Sequence, residues 1–286
     1  MLSRRGLLRA GLATSALTVV PGVARATGTD LAELEAAHGA RLGVWGRNTR
    51  TGRTVEYRAG ERFPMCSTFK TVAAGAVLRD RFSPLDRVIH YPPSDLVPNS
   101  PITGEHVDTG LSIGDICAAA IQYSDNTAGN LMLRQIGGPP GLTGFFRAIG
   151  DQTSRLDRWE TELNTAIPGD PRDTTTPAAL GRDYERLTLG DALSHPDRER
   201  LVTWLKGNTT SAARFHKGLP ATWTIADKTG TGDYATAHDI GVVWTGHGTP
   251  LVLAVLTTKS TKDAPADDDL IAEAARLAAN TLAPGE

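Results

Sequence analysis

Residues 67–78 read Ser-Thr-Phe-Lys-Thr-Val-Ala-Ala-Gly-Ala-Val-Leu. Val72, Ala73, Ala76 and Leu78 leave this segment apolar on most sides, which predicts a central, buried helix. Working outward, 111–120 predicts a second helix behind a Leu-Ser cap region, and 128–135 a third that ends at Gly137-Gly138. The helical signal continues to about residue 206, interrupted by loops rich in Pro, Asp and Thr. Strand patterns lie outside this block: 42–47 and 54–57 flank a turn at 48–52, and 222–229, 239–244 and 251–258 follow residue 207. An amphipathic helix is expected at 29–40, and a closing helix at 267–282. Sheet segments at both ends of a helical middle imply an α+β fold of two lobes, one of them discontinuous in sequence.

Four short motifs fall in order along the chain. They are Ser67-Thr68-Phe69-Lys70, Ser124-Asp125-Asn126, Glu160-Thr161-Glu162-Leu163-Asn164 and Lys228-Thr229-Gly230. Alone, Ser-x-x-Lys arises roughly once per chain of this length and reads as a helix start with a surface lysine. The ordered set reduces coincidence to roughly one in a thousand.

The chemistry of the set is coherent. A serine hydroxyl is a weak nucleophile until a neighbour removes its proton. Ser67 and Lys70, three apart on a helix, share a face, so Lys70 is one candidate base and Glu160, acting through a water, is the other. Ser67 at a helix start lends its own backbone N–H to an oxyanion. Ser124-Asp125-Asn126 has turn-forming chemistry, with Ser124 placed to pass a proton, Asn126 to orient Lys70 and Asp125 to brace the loop. Glu160 and Asn164, four apart, suit holding one water for general-base attack on an ester, whereas Glu162 reads as a solvated acid. Lys228 and Thr229 offer a cation and a hydroxyl to an anionic substrate group, and Gly230 and Gly232 are expected where substrate lies close to the strand.

With these residues in place, the chain resembles the class A β-lactamases and, more distantly, the penicillin-binding proteins. Phe63-Pro64-Met65-Cys66, Arg158-Trp159, the run NTAIPGDPRDTTTP at 164–177 and Asp239-Ile240-Gly241-Val242-Val243-Trp244 extend the likeness over about 260 residues. The resemblance implies a five-stranded antiparallel sheet flanked by terminal helices (27–65 and 207–286), packed on an all-helical lobe (66–206), with the active site in the cleft between them. It makes the backbone N–H of Thr231 the second oxyanion donor, beside that of Ser67. It pairs Arg158 with Asp173 to close an Ω-shaped loop over about 158–173, and it gives Asn126 and Asn164 contacts near substrate. A guanidinium often assists the substrate carboxylate from the strand after Lys-Thr-Gly. That position is Ala237 here, and Arg214 falls where some relatives supply the group instead.

Other positions depart from the family pattern. The disulfide common in relatives would join Cys117 to a residue that is Ala74 here, and another would join Cys66 to a position that is Gly232, so two buried free thiols are expected. Thr161 stands where proline is frequent, leaving the isomer of the preceding peptide open. Asn99 replaces an aromatic wall and His238 an asparagine; penicillins and cephalosporins are the expected substrates, and carbapenem activity is left open.

Composition narrows the partners. Ser3-Arg4-Arg5-Gly6-Leu7-Leu8, a mildly apolar stretch and Ala24-Arg25-Ala26 read as a twin-arginine export signal over 1–26, cleaved on the way to a periplasm or the medium. Its loss removes four arginines and no acid, taking the net charge from −2 to −6. An acidic product disfavours nucleic acid and anionic membranes, and no apolar run approaches the ~20 residues that span a bilayer. The seven histidines form no H-x-H or H-E-x-x-H cluster, so no metal or other cofactor is expected. A monomeric small-molecule hydrolase acting on β-lactams is the expectation. A penicillin-binding D,D-peptidase shares Ser67, Lys70, Ser124, Asn126 and Lys228, and Glu160 with Asn164 is the discriminating feature. A β-lactam sensor that acylates once is a further alternative. A general esterase lacks its G-x-S-x-G.

Overall fold

The computed structural model describes residues 21–80 and 83–286. The expected leader falls on 1–26, so its first twenty residues lie outside the described residues. In chain order the elements begin with α1 (Pro21–His38), β1 (Arg41–Asn48), β2 (Thr54–Tyr57) and the short β3 (Phe63–Pro64). A 3-10 turn, Cys66–Thr68, then runs into α2 (Phe69–Arg79). Next come β4 (Val88–Ile89), β5 (Leu111–Ser112), α3 (Ile113–Gln122), α4 (Asn126–Gln135) and α5 (Gly138–Ala148). They are followed by β6 (Thr174–Thr175), α6 (Pro177–Thr188), α7 (His195–Lys206) and α8 (Phe215–Gly218). The chain closes with β7 (Thr224–Thr231), β8 (Ala237–Trp244), β9 (Pro250–Thr258) and α9 (Asp268–Leu282).

Five strands form one antiparallel sheet in the order β2-β1-β9-β8-β7, so β7 is an edge. Both faces of the sheet are covered, which is why β9 reads as an unbroken apolar run instead of an alternation. Leu251, Leu253 and Val255 pack with Leu31 of α1 and with Leu270, Ile271 and Ala275 of α9. Ala254 and Leu256 point the other way, into the core that holds Val72, Ala73 and Ala76 of α2 and Tyr184 and Leu187 of α6. α6 lies directly on the sheet: a Cβ at Gly181 would come within 2.4 Å of the Trp45 ring.

α2 is buried along Phe69–Leu78, as its composition requires. α3 starts at Ile113 instead of Leu111, because Leu111-Ser112 is taken up in β5 and the Ser112 hydroxyl caps the helix by accepting the Asp115 N–H. α1 begins at Pro21, earlier than the expected residue 29. β7 runs to Thr231, two residues past its expected end. Gly137, at φ +86, makes the sharp turn between α4 and α5. Cys66 and Cys117 are buried free thiols; burial raises both, Cys117 to about 12.

Candidate active site

The turn Cys66–Thr68 places Ser67 where α2 begins, against edge strand β7. Cys66 is held at φ +43, and the turn is fastened from behind by the Tyr184 hydroxyl, which donates to Thr68 O at 2.9 Å. Ser67 keeps 6 % of its surface exposed. One turn along, Lys70 is fully buried, and its Nζ lies 2.9 Å from Ser67 Oγ, 2.7 Å from Asn126 Oδ1, 2.8 Å from Ser124 O and 3.0 Å from Glu160 Oε1. Ser67 Oγ is 3.4 Å from the same Glu160 oxygen. Burial holds Lys70 below the usual lysine range, and the Glu160 carboxylate works against that shift. Both candidate bases are thus within direct reach of the Ser67 proton.

Ser124 sits at φ +56 on the loop between α3 and α4, a conformation fixed by its neighbour. Asp125 is buried and caps α4 through Ala128 N at 2.8 Å, while its other oxygen accepts Ile102 N at 3.0 Å and Thr103 N at 2.9 Å. Asp125 therefore braces the loop and has no free acceptor to offer. Ser124 Oγ accepts from Lys228 Nζ at 3.0 Å, which joins the loop to β7 across the cleft. Asn126 spends one amide hydrogen on Pro98 O at 2.9 Å while its oxygen holds Lys70.

Glu160 hangs from a loop pinned at its stem. Arg158 Nε donates to Asp173 Oδ2 at 2.6 Å, and Asp173 Oδ1 accepts the N–H groups of Asp157 at 2.7 Å and Arg158 at 2.9 Å. Arg158 also reaches Thr165 Oγ1 at 2.9 Å, and the peptide between Glu160 and Thr161 is cis. Asn164 Nδ2 donates to Glu160 Oε2 at 2.5 Å. Asn164 Oδ1 is buried with no partner among the described residues, an acceptor beside the carboxylate suited to a water's hydrogen. The sequence reading missed Asn130, whose side chain bonds both the N–H and the C=O of Glu160. Its position one turn beyond Asn126, on the same face of α4, was the available signal.

On the opposite wall, Lys228 is fully buried and also donates to Thr229 O at 2.9 Å. Burial, reinforced by the Lys70 charge, pushes its ammonium well below the ordinary range. Thr229 Oγ1 lies 2.5 Å from Thr210 Oγ1, a second contact that sequence reasoning missed. Arg214 is buried behind β7, donating to Gly230 O at 3.0 Å, His238 O at 2.7 Å, Thr231 Oγ1 at 2.9 Å and Asp268 Oδ1 at 2.7 Å. It is not a surface arginine, and it adjoins the Lys-Thr-Gly strand as expected. The role read for the glycines changes. A Cβ at Gly230 would meet Thr68 Cγ2 at 3.1 Å and Met65 O at 3.2 Å, and one at Gly232 would meet Asn164 O at 2.7 Å and Cys66 Sγ at 2.8 Å. They let β7 close on the Ser67 turn and the Glu160 loop; the space they spare is filled by protein. His238 is buried, its Nε2 2.6 Å from Pro64 O, and burial lowers it to about 4.

Ser67, Lys70, Glu160, Ser124 and Lys228 are thus joined by direct hydrogen-bond and ion-pair contacts. Residues 26–282 match the model of the beta-lactamase enzyme family. The chain is 51% identical to beta-lactamase AST-1 of Nocardia asteroides, over 98% of its own length and 96% of that protein's. It is also 51% identical to the carbapenem-hydrolyzing beta-lactamase KPC of Klebsiella oxytoca, over 88% of this chain and 87% of that one. The fold superposes on the beta-lactamase of Streptomyces albus G with a TM-score of 0.88 at 50% identity, covering 90% of this chain and 99% of that one. A beta-lactamase from Desulfarculus baarsii gives 0.90 at 50% identity, covering 92% and 99%. The chain belongs to the β-lactamase enzyme family, in its class A branch, the serine hydrolases of cyclic amides.

Proposed function

We propose that this β-lactamase hydrolyses penicillins, and cephalosporins with them, through an acyl-enzyme on Ser67 that a Glu160-activated water releases. The observation that carries the reading is the joint placement of Ser67, Lys70, Glu160 and Asn164: Glu160 Oε1 lies near Ser67 Oγ and its Oε2 is held by Asn164.

Ser67 Oγ attacks the lactam carbonyl as its proton passes to Lys70 or, by way of a water, to Glu160. The backbone N–H groups of Ser67 and Thr231 take the developing oxyanion; losing one such donor typically costs ~3 kcal/mol of transition-state stabilisation. Ser124, hydrogen-bonded to Lys228, hands a proton to the departing lactam nitrogen. Lys228, Thr229 and Thr231 receive the substrate carboxylate, Arg214 holds the Thr231 hydroxyl, and Asn126 meets the substrate's amide side chain. Gly230 contributes by keeping the strand close to Ser67. Glu160 then draws a proton from a water oriented by Asn164, and that water attacks the ester. The opened product is inactive as an antibiotic, so the protein confers β-lactam resistance.

In this reading 27–65 and 207–286 form one lobe and 66–206 the other, and the mature protein is a monomer without a membrane anchor. No described helix is long and apolar enough to cross a membrane. The Ser3-Arg4-Arg5-Gly6-Leu7-Leu8 pattern supports twin-arginine export in this reading. Steady-state assays of penicillin and cephalosporin opening by the wild type and Ser67→Ala test the reaction, which requires loss of turnover in the variant. N-terminal sequencing of exported protein tests the leader, with a start at Thr27 expected.

A further inference from the structure

Beneath Lys228 lie two carboxyls that the reaction above does not use. Asp227 of β7 and Asp239 of β8 are both fully buried. In the strand register Asp239 stands opposite Thr229, two residues along from Asp227, so the two side chains are diagonal neighbours on one face. The strands are pressed together there, since a Cβ on Gly241, opposite Asp227, would come within 2.7 Å of Asp227 Cβ.

Each carboxyl has one satisfied oxygen. Asp227 Oδ1 accepts from Asn208 Nδ2 at 2.9 Å, and Asp239 Oδ2 accepts the Phe215 N–H at 3.1 Å. The other oxygens, Asp227 Oδ2 and Asp239 Oδ1, are both buried without a donor among the described residues. Neither carboxyl forms an ion pair there. The nearby Arg214 guanidinium is committed to Asp268, Thr231 and the carbonyls of Gly230 and His238. Two buried carboxylates at diagonal positions on one face, each with an orphan oxygen, would repel across a low-dielectric space. One proton between them turns both orphans into a donor and an acceptor.

We infer that Asp227 and Asp239 share one proton and act as a single negative charge that keeps Lys228 protonated for substrate. Asp239 carries the proton, because burial and the Asp227 charge push its carboxyl well above the usual range, while the Phe215 N–H and Arg214 oppose this only in part. The groups that face the pair are few. Tyr184 comes from α6, with its phenol bonded to Thr68 O, and Arg214 from the segment before α8. Lys228 lies on β7, Lys70 acts on it from α2, and His238 on β8 is kept neutral by burial. Burial and Lys70 both disfavour the charge on Lys228, whereas Asp227 and Asp239 favour it. The pair therefore acts through Lys228, as positioning residues, and the inference rests on the reading of Lys228 as the group that receives the substrate carboxylate.

Infrared difference spectra of wild type and Asp239→Asn at neutral pH should show a protonated-carboxyl band lost in the variant. Asparagine mimics the protonated acid and leaves the charge on Asp227, so the alkaline limb of kcat/KM should stay at its wild-type pH. Replacing both aspartates by asparagine removes the charge and should move that limb down by about one pH unit, mainly through KM. Absence of the band, a limb that moves in Asp239→Asn, or a double variant with the wild-type limb would each overturn the inference. Lys228→Ala separates the two readings. An unchanged KM in that variant would overturn the role given to Lys228 and the link to it, while the infrared band decides the shared proton independently.

Discussion

Asn130 grips the peptide of Glu160 from both sides: its Nδ2 donates to Glu160 O at 3.0 Å, and its Oδ1 accepts Glu160 N–H at 2.9 Å. The carboxylate that faces Ser67 is thus held by α4 as well as by its own loop. Removing a partner from buried backbone groups costs about 1–3 kcal/mol per orphaned group. Asn130→Ala should lower kcat at least tenfold with a smaller change in KM, because Glu160 loses its position for deacylation. Quenched-flow mass spectra should then show more acyl-enzyme at steady state than in wild type; an unchanged kcat contradicts this role.

Asp173 is fully buried and gathers the Arg158 guanidinium and two backbone N–H groups. Asp173→Asn leaves the Arg158 charge without its partner, at a cost of about 3 kcal/mol, and frees the loop that carries Glu160. Turnover and the denaturant midpoint should both fall. Wild-type steady-state hydrolysis in this variant would refute the coupling.

Arg214 ties β7 to β8 and to α9 through four acceptors, one of them the Thr231 hydroxyl beside the cleft. Arg214→Ala should raise KM for β-lactams several-fold, with kcat less affected. It should also lower stability by about 1–3 kcal/mol through the buried carbonyls left unpaired. An unaltered KM would remove Arg214 from the site.

His238 is buried and lowered to about 4 from an ordinary 6.5, so the native protein keeps it neutral while the unfolded chain protonates it below pH 6.5. The unfolded state then binds more protons, and stability falls as the pH drops from about 6.5 toward 4, by about 3 kcal/mol from this group. His238→Asn should flatten that part of the pH–stability curve relative to wild type in chemical denaturation. Parallel curves would exclude His238 as the cause.

Much of this site is legible in the sequence because its chemistry is local. Ser67 and Lys70 share a helical face, Glu160 and Asn164 are one turn apart, and Lys228 and Thr229 are adjacent on a strand. The fold is legible for a related reason: β9 and α2 are apolar on more than one side, which only a doubly covered sheet and a central helix can satisfy. What escaped depends on contacts between distant segments. Asn130 shares a face of α4 with Asn126, but only the fold brings it to Glu160, and only the fold brings Thr210 to Thr229. Gly230 and Gly232 read as room for substrate, and only the packing shows Met65, Cys66 and Asn164 filling that space. The neighbourhood of Asp227 and Asp239, each with an unpartnered buried oxygen, emerges only from strand register.

In the proposed mechanism, Glu160 releases an acyl group carried by Ser67. Mass spectrometry of wild type and Glu160→Ala with excess benzylpenicillin, followed from seconds to hours beside a product assay, tests it most directly. Wild type should form penicilloate rapidly with little adduct, and Glu160→Ala should accumulate a long-lived adduct on Ser67. A stoichiometric, persistent adduct in wild type, or a Glu160→Ala variant that turns over as fast as wild type, would contradict it.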